Sequence, residues 1–286
     1  HHIKTVSYDE FLADLKENIQ HFEEPYSSLE VLMNAAEYAK SLGFKVVLSG
    51  NGADELFAGY SHTLKLKKWL LWKNFNFIKN FIFTKDPFSE RVKNYFSQDS
   101  MFDFFRQSQV GMKPSEAANV FKYDIFKTVN TDFTKFQLSE TKNYSAYFEY
   151  DMKYSLSSHH VYRDDLSAMK YGVEFRYPYL SNEFVDFVST LPEKFRFNGI
   201  QNKPLLRKVA ENYLPNEVLK MPKRGFSFPL HHFIKNEEKV QNFIIVNLES
   251  LKKRNFFKSE IIDAWWKNQN NPYDCVKIWQ LVTFEL

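Results

Sequence analysis

Apolar and polar positions along this chain recur mostly with a helical period. Ser7-x-x-Glu10 leads into Phe11, Leu12 and Leu15, the signature of a capping box, in which each side chain satisfies the other residue's backbone N–H. Pro25 is expected to end that helix. A second amphipathic run, Ser28 to Leu42, stops at Gly43, a residue suited to the left-handed C-cap. Phe44-Lys45-Val46-Val47-Leu48 then reads as a short strand with β-branched residues at its centre. It runs into a Gly-containing loop and a further helix. Helix, strand, loop, helix is the rhythm of an α/β unit with a parallel sheet. The pattern yields only this one convincing strand. Further strands are therefore cryptic or lie outside this chain.

Three regions follow from the patterning: 1–62, 63–150 and 151–286. The second is rich in Lys and Phe, with Trp69, Trp72, Phe75 and Phe81 among Lys65, Lys67, Lys68, Lys73 and Lys79. Such a stretch can lie on a membrane surface. The favoured expectation is an ordinary packed helix whose lysine stems run over apolar surface. The third region reads as mostly helical, with Pro178, Pro192, Pro204, Pro215, Pro222 and Pro229 spacing its elements. Internal repeats and low-complexity linkers are missing from the sequence, so the segments are expected to pack as one body.

Composition narrows the function classes. The 286 residues carry 38 basic and 35 acidic side chains, a net charge of +3. That bias is too weak to point to nucleic acid or a membrane as partner. Thirty Phe and sixteen Tyr suit a core filled with rings. A base-stacking platform needs rings beside a basic groove, which the pattern does not supply. The single cysteine, Cys275, allows no internal disulfide and fits a cytoplasmic protein. No apolar run approaches the roughly 18 residues of a membrane span.

The strongest chemical signal is Ser49-Gly50-Asn51-Gly52-Ala53-Asp54-Glu55. Glycines at alternate positions let the backbone turn and let a ligand approach its N–H groups. The N-terminus of the helix expected next would suit phosphate. Asp54 and Glu55 would sit in its first turn, where a carboxylate can favour the helix dipole or hold Mg²⁺. A plain β–α turn capped by acids explains the same residues. A second cluster, Arg163-Asp164-Asp165 followed by Glu174-Phe175-Arg176, suggests a buried ion-pair network, with Asp165 facing a site. In a third, Met221-Pro222-Lys223-Arg224-Gly225, prolines and Gly225 can aim Lys223 into a cleft, where a point charge meets phosphate or developing negative charge. A solvated loop charge is the plainer alternative. His159-His160 and His231-His232 lack zinc-ligand spacing, and zinc is not expected.

In order and spacing these segments resemble the glutamine-dependent asparagine synthetase family. Residues 46–60, Val-Val-Leu-Ser-Gly-Asn-Gly-Ala-Asp-Glu-Leu-Phe-Ala-Gly-Tyr, are similar to its second nucleotide motif. Asp165 to Leu180, Lys203-Pro204-Leu205-Leu206-Arg207, and Pro222 to Phe226 are similar to later segments. Glu24-Pro25 and Trp279–Leu286 fit as well. The resemblance implies the C-terminal synthetase domain, with an α/β fold of the adenine-nucleotide α-hydrolase (ATP-pyrophosphatase) type. Its parallel sheet would be incomplete here and followed by a large, mostly helical C-terminal part. It further implies ATP and Mg²⁺ as cofactors, adenylation of an aspartate carboxylate, and attack by ammonia. Ser49, Gly50, Asn51, Gly52 and Asp165 would meet the nucleotide or substrate. Asp54 would hold Mg²⁺ and pyrophosphate, and Lys223 would neutralise charge in the reaction.

Three departures qualify the resemblance. A Ser-Gly-Gly-x-Asp-Ser pyrophosphate loop is absent from the sequence, so the chain is expected to be N-terminally truncated or to need a complement. The glutaminase domain with its N-terminal cysteine is likewise absent, so ammonia would come from elsewhere. Asn51 stands where the family has an acidic residue near the amino-acid substrate, which opens the choice to aspartate or another small carboxylate. A homodimer and a non-catalytic interaction module both stay open.

Overall fold

The computed structural model describes residues 1–22, 29–72, 103–105, 111–124, 144–221, 225 and 229–286. Helices α1 (Tyr8–Ala13), α2 (Leu15–Phe22) and α3 (Leu29–Ser41) precede strand β1 (Val46–Leu48). The single turn α4 (Ala53–Leu56) and helix α5 (Ser61–Trp72) follow. Next come α6 (Pro114–Val120), α7 (Tyr144–Tyr150), a π-helical stretch (Asp151–Val161), α8 (Tyr162–Tyr171), β2 (Glu174–Arg176) and a 3₁₀ turn (Pro178–Leu180). The chain continues through α9 (Asn182–Thr190), α10 (Glu193–Arg196), α11 (Pro204–Ala210), α12 (Asn216–Leu219) and α13 (Leu230–Asn236). It closes with α14 (Glu238–Lys253), α15 (Ser259–Lys267) and α16 (Pro272–Glu285).

Local chemistry explains the element ends. The Ser7–Glu10 capping box forms in both directions, at 2.8 and 3.2 Å. The first helix does not run unbroken toward Pro25: Asp14, at φ −99° and ψ 0°, splits it into α1 and α2, and residues 23–28 lie outside the described residues. Gly43, at φ +83°, ends α3. There Phe44 N–H donates to Ala39 O at 3.0 Å and Gly43 N–H to Lys40 O at 2.9 Å, a Schellman cap. Pro178 and Pro204 open helical turns, and Pro192, Pro215 and Pro229 occupy the positions just before them. A ring that fixes φ and lacks an N–H is cheapest there. Pro222 lies outside the described residues.

The sheet corrects the sequence reading. A second strand exists, and β2 pairs with β1 in parallel, Val46 facing Glu174, Val47 facing Phe175 and Leu48 facing Arg176. Glu-Phe-Arg is three residues long, carries two charges and no β-branched residue, so local propensity did not reveal it. Glu174 and Arg176 do not join a buried network. They project to solvent and pair with each other at 2.8 Å, their side chains 60% and 61% exposed. The apolar β1 is also open, with Leu48 70% exposed.

The main core joins the two ends of the described chain. Phe11, Leu15, Ile19 and Phe22 from α1 and α2 pack with Leu230, Ile234, Val240, Ile244, Ile278 and Trp279. Phe11 stacks on Trp279 at 5.5 Å between centroids. A second cluster gathers Trp69, Phe104, Tyr147, Phe148 and Phe197. Trp69 is buried on α5, and Lys67 reaches past it to donate to Asn198 O at 3.1 Å. Part of the described aromatic set serves as core, while Phe44, Phe187, Tyr213 and Phe284 among others are exposed. A third, smaller cluster of Leu56, Phe57 and Val188 sits under the glycine loop. No helix among the described residues is long and apolar enough to cross a membrane.

Candidate active site

The parallel register brings two segments together at the carboxyl ends of the strands. One is the loop 49–55 after β1; the other is Tyr177–Leu180 after β2. Open α/β sheets receive ligands in the crevice outside these ends. Ser49 N–H donates to Arg176 O at 2.8 Å, which extends the ladder one step into the loop. Asn51 N–H donates to Ser49 Oγ at 3.3 Å.

The two glycines differ in purpose. Gly52 has φ +93°, and a Cβ there would stand 2.3 Å from Leu180 Cδ2. It is required by backbone conformation and by close packing against the 3₁₀ turn. At Gly50 a Cβ would meet nothing within 4 Å among the described residues, so they leave the loop open to an incoming group at that point. The expected helix after the loop is only one turn, α4. So short an element has little summed dipole, and the phosphate site read into its N-terminus loses that support.

Asp54 is anchored by Lys203, whose Nζ lies 3.1 Å from Oδ1. Lys203 precedes α11 in the left-handed region at φ +51°, and its N–H donates to Phe57 O at 3.1 Å. Gly59 lets this pair form, since a Cβ there would lie 1.7 Å from Asp54 Oδ1. Behind the pair is a buried polar layer. Tyr60 donates its hydroxyl proton to Glu55, which is 2% exposed. The rings of His62 and His160 both stack on the Tyr60 ring, at 5.1 and 6.5 Å between centroids. Burial, with the field of Glu55 second, holds the Asp151 carboxyl well above its ordinary value. Burial and then Lys65 push His62 down to about 4. The layer is therefore short of positive charge at neutral pH, apart from lysines at its rim.

On the other side of the loop, Asn51 Nδ2 donates to Asp164 Oδ2 at 2.7 Å. Asp164 is 3% exposed on α8. Its carboxyl is pushed up to about 6 by burial, opposed in order by Tyr177, Arg163 and Asn51. The Tyr177 hydroxyl is buried beside it and donates toward its carboxylate. Burial and then the Asp164 charge raise that phenol above its ordinary range.

Ser49, Gly50, Asn51, Gly52 and Asp54 thus share one loop. Asp165 is exposed on α8, and its charge reaches Tyr177. Lys223 lies outside the described residues, and no described atom would lie within 4 Å of a Cβ at Gly225. Sequence reading placed Asp164 in a buried ion-pair network and gave no role to Tyr177 or Lys203. Lys203 sits in a quoted motif, but its pairing with Asp54 has no local signature. The donor set at Asp54 fits a magnesium–phosphate group: a partly exposed carboxylate, an ammonium at 3.1 Å and open space at Gly50. Mg²⁺ takes one or two carboxylates together with phosphate oxygens.

These features define a mostly helical protein with a small parallel sheet and a polar crevice at the carboxyl ends of its strands. The chain belongs to the asparagine synthase family, whose model matches residues 1–286. It is 28% identical over 264 residues to asparagine synthetase [glutamine-hydrolyzing] 1 of Bacillus subtilis, covering 84% of this chain and 40% of the relative. It is 30% identical over 252 residues to a putative asparagine synthetase [glutamine-hydrolyzing] of Mycobacterium bovis, covering 83% of this chain and 38% of the relative. A 71-residue stretch is 39% identical to the human asparagine synthetase [glutamine-hydrolyzing], covering 23% and 12% of the two chains. The chain therefore spans about 40% of the length of the first two relatives.

Proposed function

We propose that this chain forms part of an ATP-dependent amide-forming ligase, in which a carboxylate is adenylated and then attacked by ammonia. The observation that carries the reading is the crevice itself. It sets an open glycine loop, the Asp54–Lys203 pair and the Asn51–Asp164 pair around the carboxyl ends of two parallel strands. Asp54 would hold Mg²⁺, which would draw charge from the phosphates. Lys203 would then be free to turn toward the same phosphates. Ser49 and Gly50 would line the nucleotide, and Asp165 would lie at its rim. Lys223 would meet charge that builds as the acyl-adenylate forms, an electrostatic role. The fold proposed for the whole unit is the ATP-pyrophosphatase type, with residues 1–62 as the rest of its α/β core. Residues 63–150 and 151–286 would be helical additions. The exposed Val46 and Leu48 would suit a sheet with more strands than the two among the described residues.

Aspartate is the first substrate to test. Asn51 supports a second reading within the same chemistry, a different small carboxylate, because an uncharged amide occupies the family's acidic position. Ammonia from a glutaminase domain and a homodimeric assembly are further expectations from the family. A protein carrying the complete synthetase unit should exchange ATP with pyrophosphate only when its carboxylate is present. Lys223→Ala should lower amide formation by about 10²-fold or more. Chain 1–286 alone should show no exchange above background. Carboxylate-independent exchange, or a wild-type rate for the Lys223 variant, would count against this assignment.

A further inference from the structure

Two loops adopt unusual backbone to place one lysine. Lys203 has φ +51° and Ala58 has φ +55°, in the left-handed region that non-glycine residues seldom enter. The loops are tied together at these residues. Lys203 N–H donates to Phe57 O at 3.1 Å, and Asn202 Nδ2 donates to Gly59 O at 2.5 Å. Gly59 N–H in turn donates to Asp54 O at 2.8 Å. The outcome is the contact of Lys203 Nζ with Asp54 Oδ1 at 3.1 Å. A side chain at Gly59 would block it, since a Cβ there would stand 2.4 Å from Lys203 Cε.

Stability does not account for this arrangement. The two side chains are 26% and 20% exposed, and an ion pair open to solvent contributes little. Strain held for so weak a contact points to function. We propose that Lys203 is a displaceable counter-ion: it keeps Asp54 neutralised and in place, and yields the carboxylate to an arriving divalent cation. The proposal rests on the ligase reading for the placing of Mg²⁺ on Asp54. Three observations suit it. Glu55 and Asp151 are each 2% exposed, so of the three carboxylates in the buried layer Asp54 is the one that solvent and a cation can reach. His62, held down to about 4 by burial, brings no charge to the layer at neutral pH, so the task falls to a lysine. The lysine ammonium is a compact charge on a flexible stem, and the backbone of Lys203 is fixed independently by Phe57. Nζ can therefore swing away without loosening the loop. Mg²⁺ sits about 2.0–2.1 Å from its oxygen ligands, and two cations so close to one carboxylate repel strongly. Lys203 and the metal thus exclude one another at Asp54 Oδ1.

Binding of Mn²⁺, a paramagnetic stand-in for Mg²⁺, reads this without catalysis. Free Mn²⁺ is followed by electron paramagnetic resonance in titrations of the purified chain, of Lys203→Asn and of Asp54→Asn, at equal ionic strength. Asparagine tolerates the left-handed backbone of position 203 and removes the charge. Lys203→Asn should bind Mn²⁺ about tenfold more tightly than wild type, and Asp54→Asn should lose the site. The second measurement uses the wild type alone, so it decides even where a variant fails to fold. Lysine acetylation is quantified by mass spectrometry at Lys203 against Lys208, whose side chain is 76% exposed. Displacement, unlike a change of field, exposes the amine, so Mn²⁺ should raise the Lys203 share above its value in sodium chloride of equal ionic strength. Equal Mn²⁺ affinity in wild type and Lys203→Asn, or a Lys203 share that the metal leaves unmoved, would overturn the proposal. Binding that survives Asp54→Asn would overturn it together with the placing of Mg²⁺ on Asp54. Failure of the ligase reading is distinguishable, because the complete enzyme would then show no carboxylate-dependent exchange while the competition between Lys203 and the metal persisted.

Discussion

Replacing Gly52 with alanine isolates the demand that the loop makes on its backbone. Two costs combine. Gly52 sits at φ +93°, where an L-residue is disfavoured by about 1–2 kcal/mol. The new methyl would also stand 2.3 Å from Leu180 Cδ2 and 2.9 Å from Cγ. Accommodating an inserted methyl in a packed contact costs about 1–3 kcal/mol. The sum, about 3 kcal/mol, corresponds to a fall in Tm of roughly 6–12 °C for a chain of this size. Gly50→Ala is the control: nothing lies within 4 Å of its added Cβ, so it should stay within about 0.5 kcal/mol of wild type. Chemical denaturation of Gly52→Ala, Leu180→Ala and the double variant separates the two costs. Leu180→Ala removes the obstructing atoms, so the double variant should recover about 1–2 kcal/mol relative to additivity, the steric share. The backbone share should remain. Additivity within about 0.5 kcal/mol, or a Gly52→Ala protein as stable as wild type, would falsify the packing argument.

Asp164→Asn should stabilise the chain above pH 6. The folded carboxyl titrates near 6 against an ordinary 3.8, so the folded state holds the proton more tightly. Stability from this group is greatest below pH 3.8 and declines up to about pH 6. The full difference is about 3 kcal/mol at about 1.4 kcal/mol per pH unit, and a pH series of melts that is parallel for wild type and variant would disprove it. Lys277→Met should destabilise by about 3 kcal/mol, because Lys277 Nζ bridges Asp274 Oδ1 at 2.5 Å and Glu116 Oε1 at 3.1 Å from a site that is 8% exposed; an unchanged denaturation midpoint would show that the two carboxylates manage without it. Cys275 is 1% exposed, and burial, with Asp274 second, pushes its thiol up to about 11. A thiol reagent at pH 8 should modify it only as fast as the chain unfolds, and prompt stoichiometric labelling of the native protein would contradict that burial.

The sequence by itself determined features set by neighbours in the chain. Ser7 and Glu10 reveal their cap because both partners lie within one helical turn. Gly43 announces a helix end, and the prolines mark helix starts, because φ and a missing N–H are properties of single residues. The strand Val46–Leu48 and its glycine loop were legible for the same reason. What only the tertiary structure decided was every pairing across long stretches of chain. Strand β2 has weak propensity and exists because β1 offers it a ladder. Glu174 and Arg176 face solvent because that register turns them outward. Asp54 meets Lys203, and Asn51 meets Asp164, only after α8 and α11 are packed against the loop. Residue type advertised Asp54 as a ligand. Burial between Asn51 and Tyr177, which is not encoded locally, raised the Asp164 carboxyl above its ordinary range.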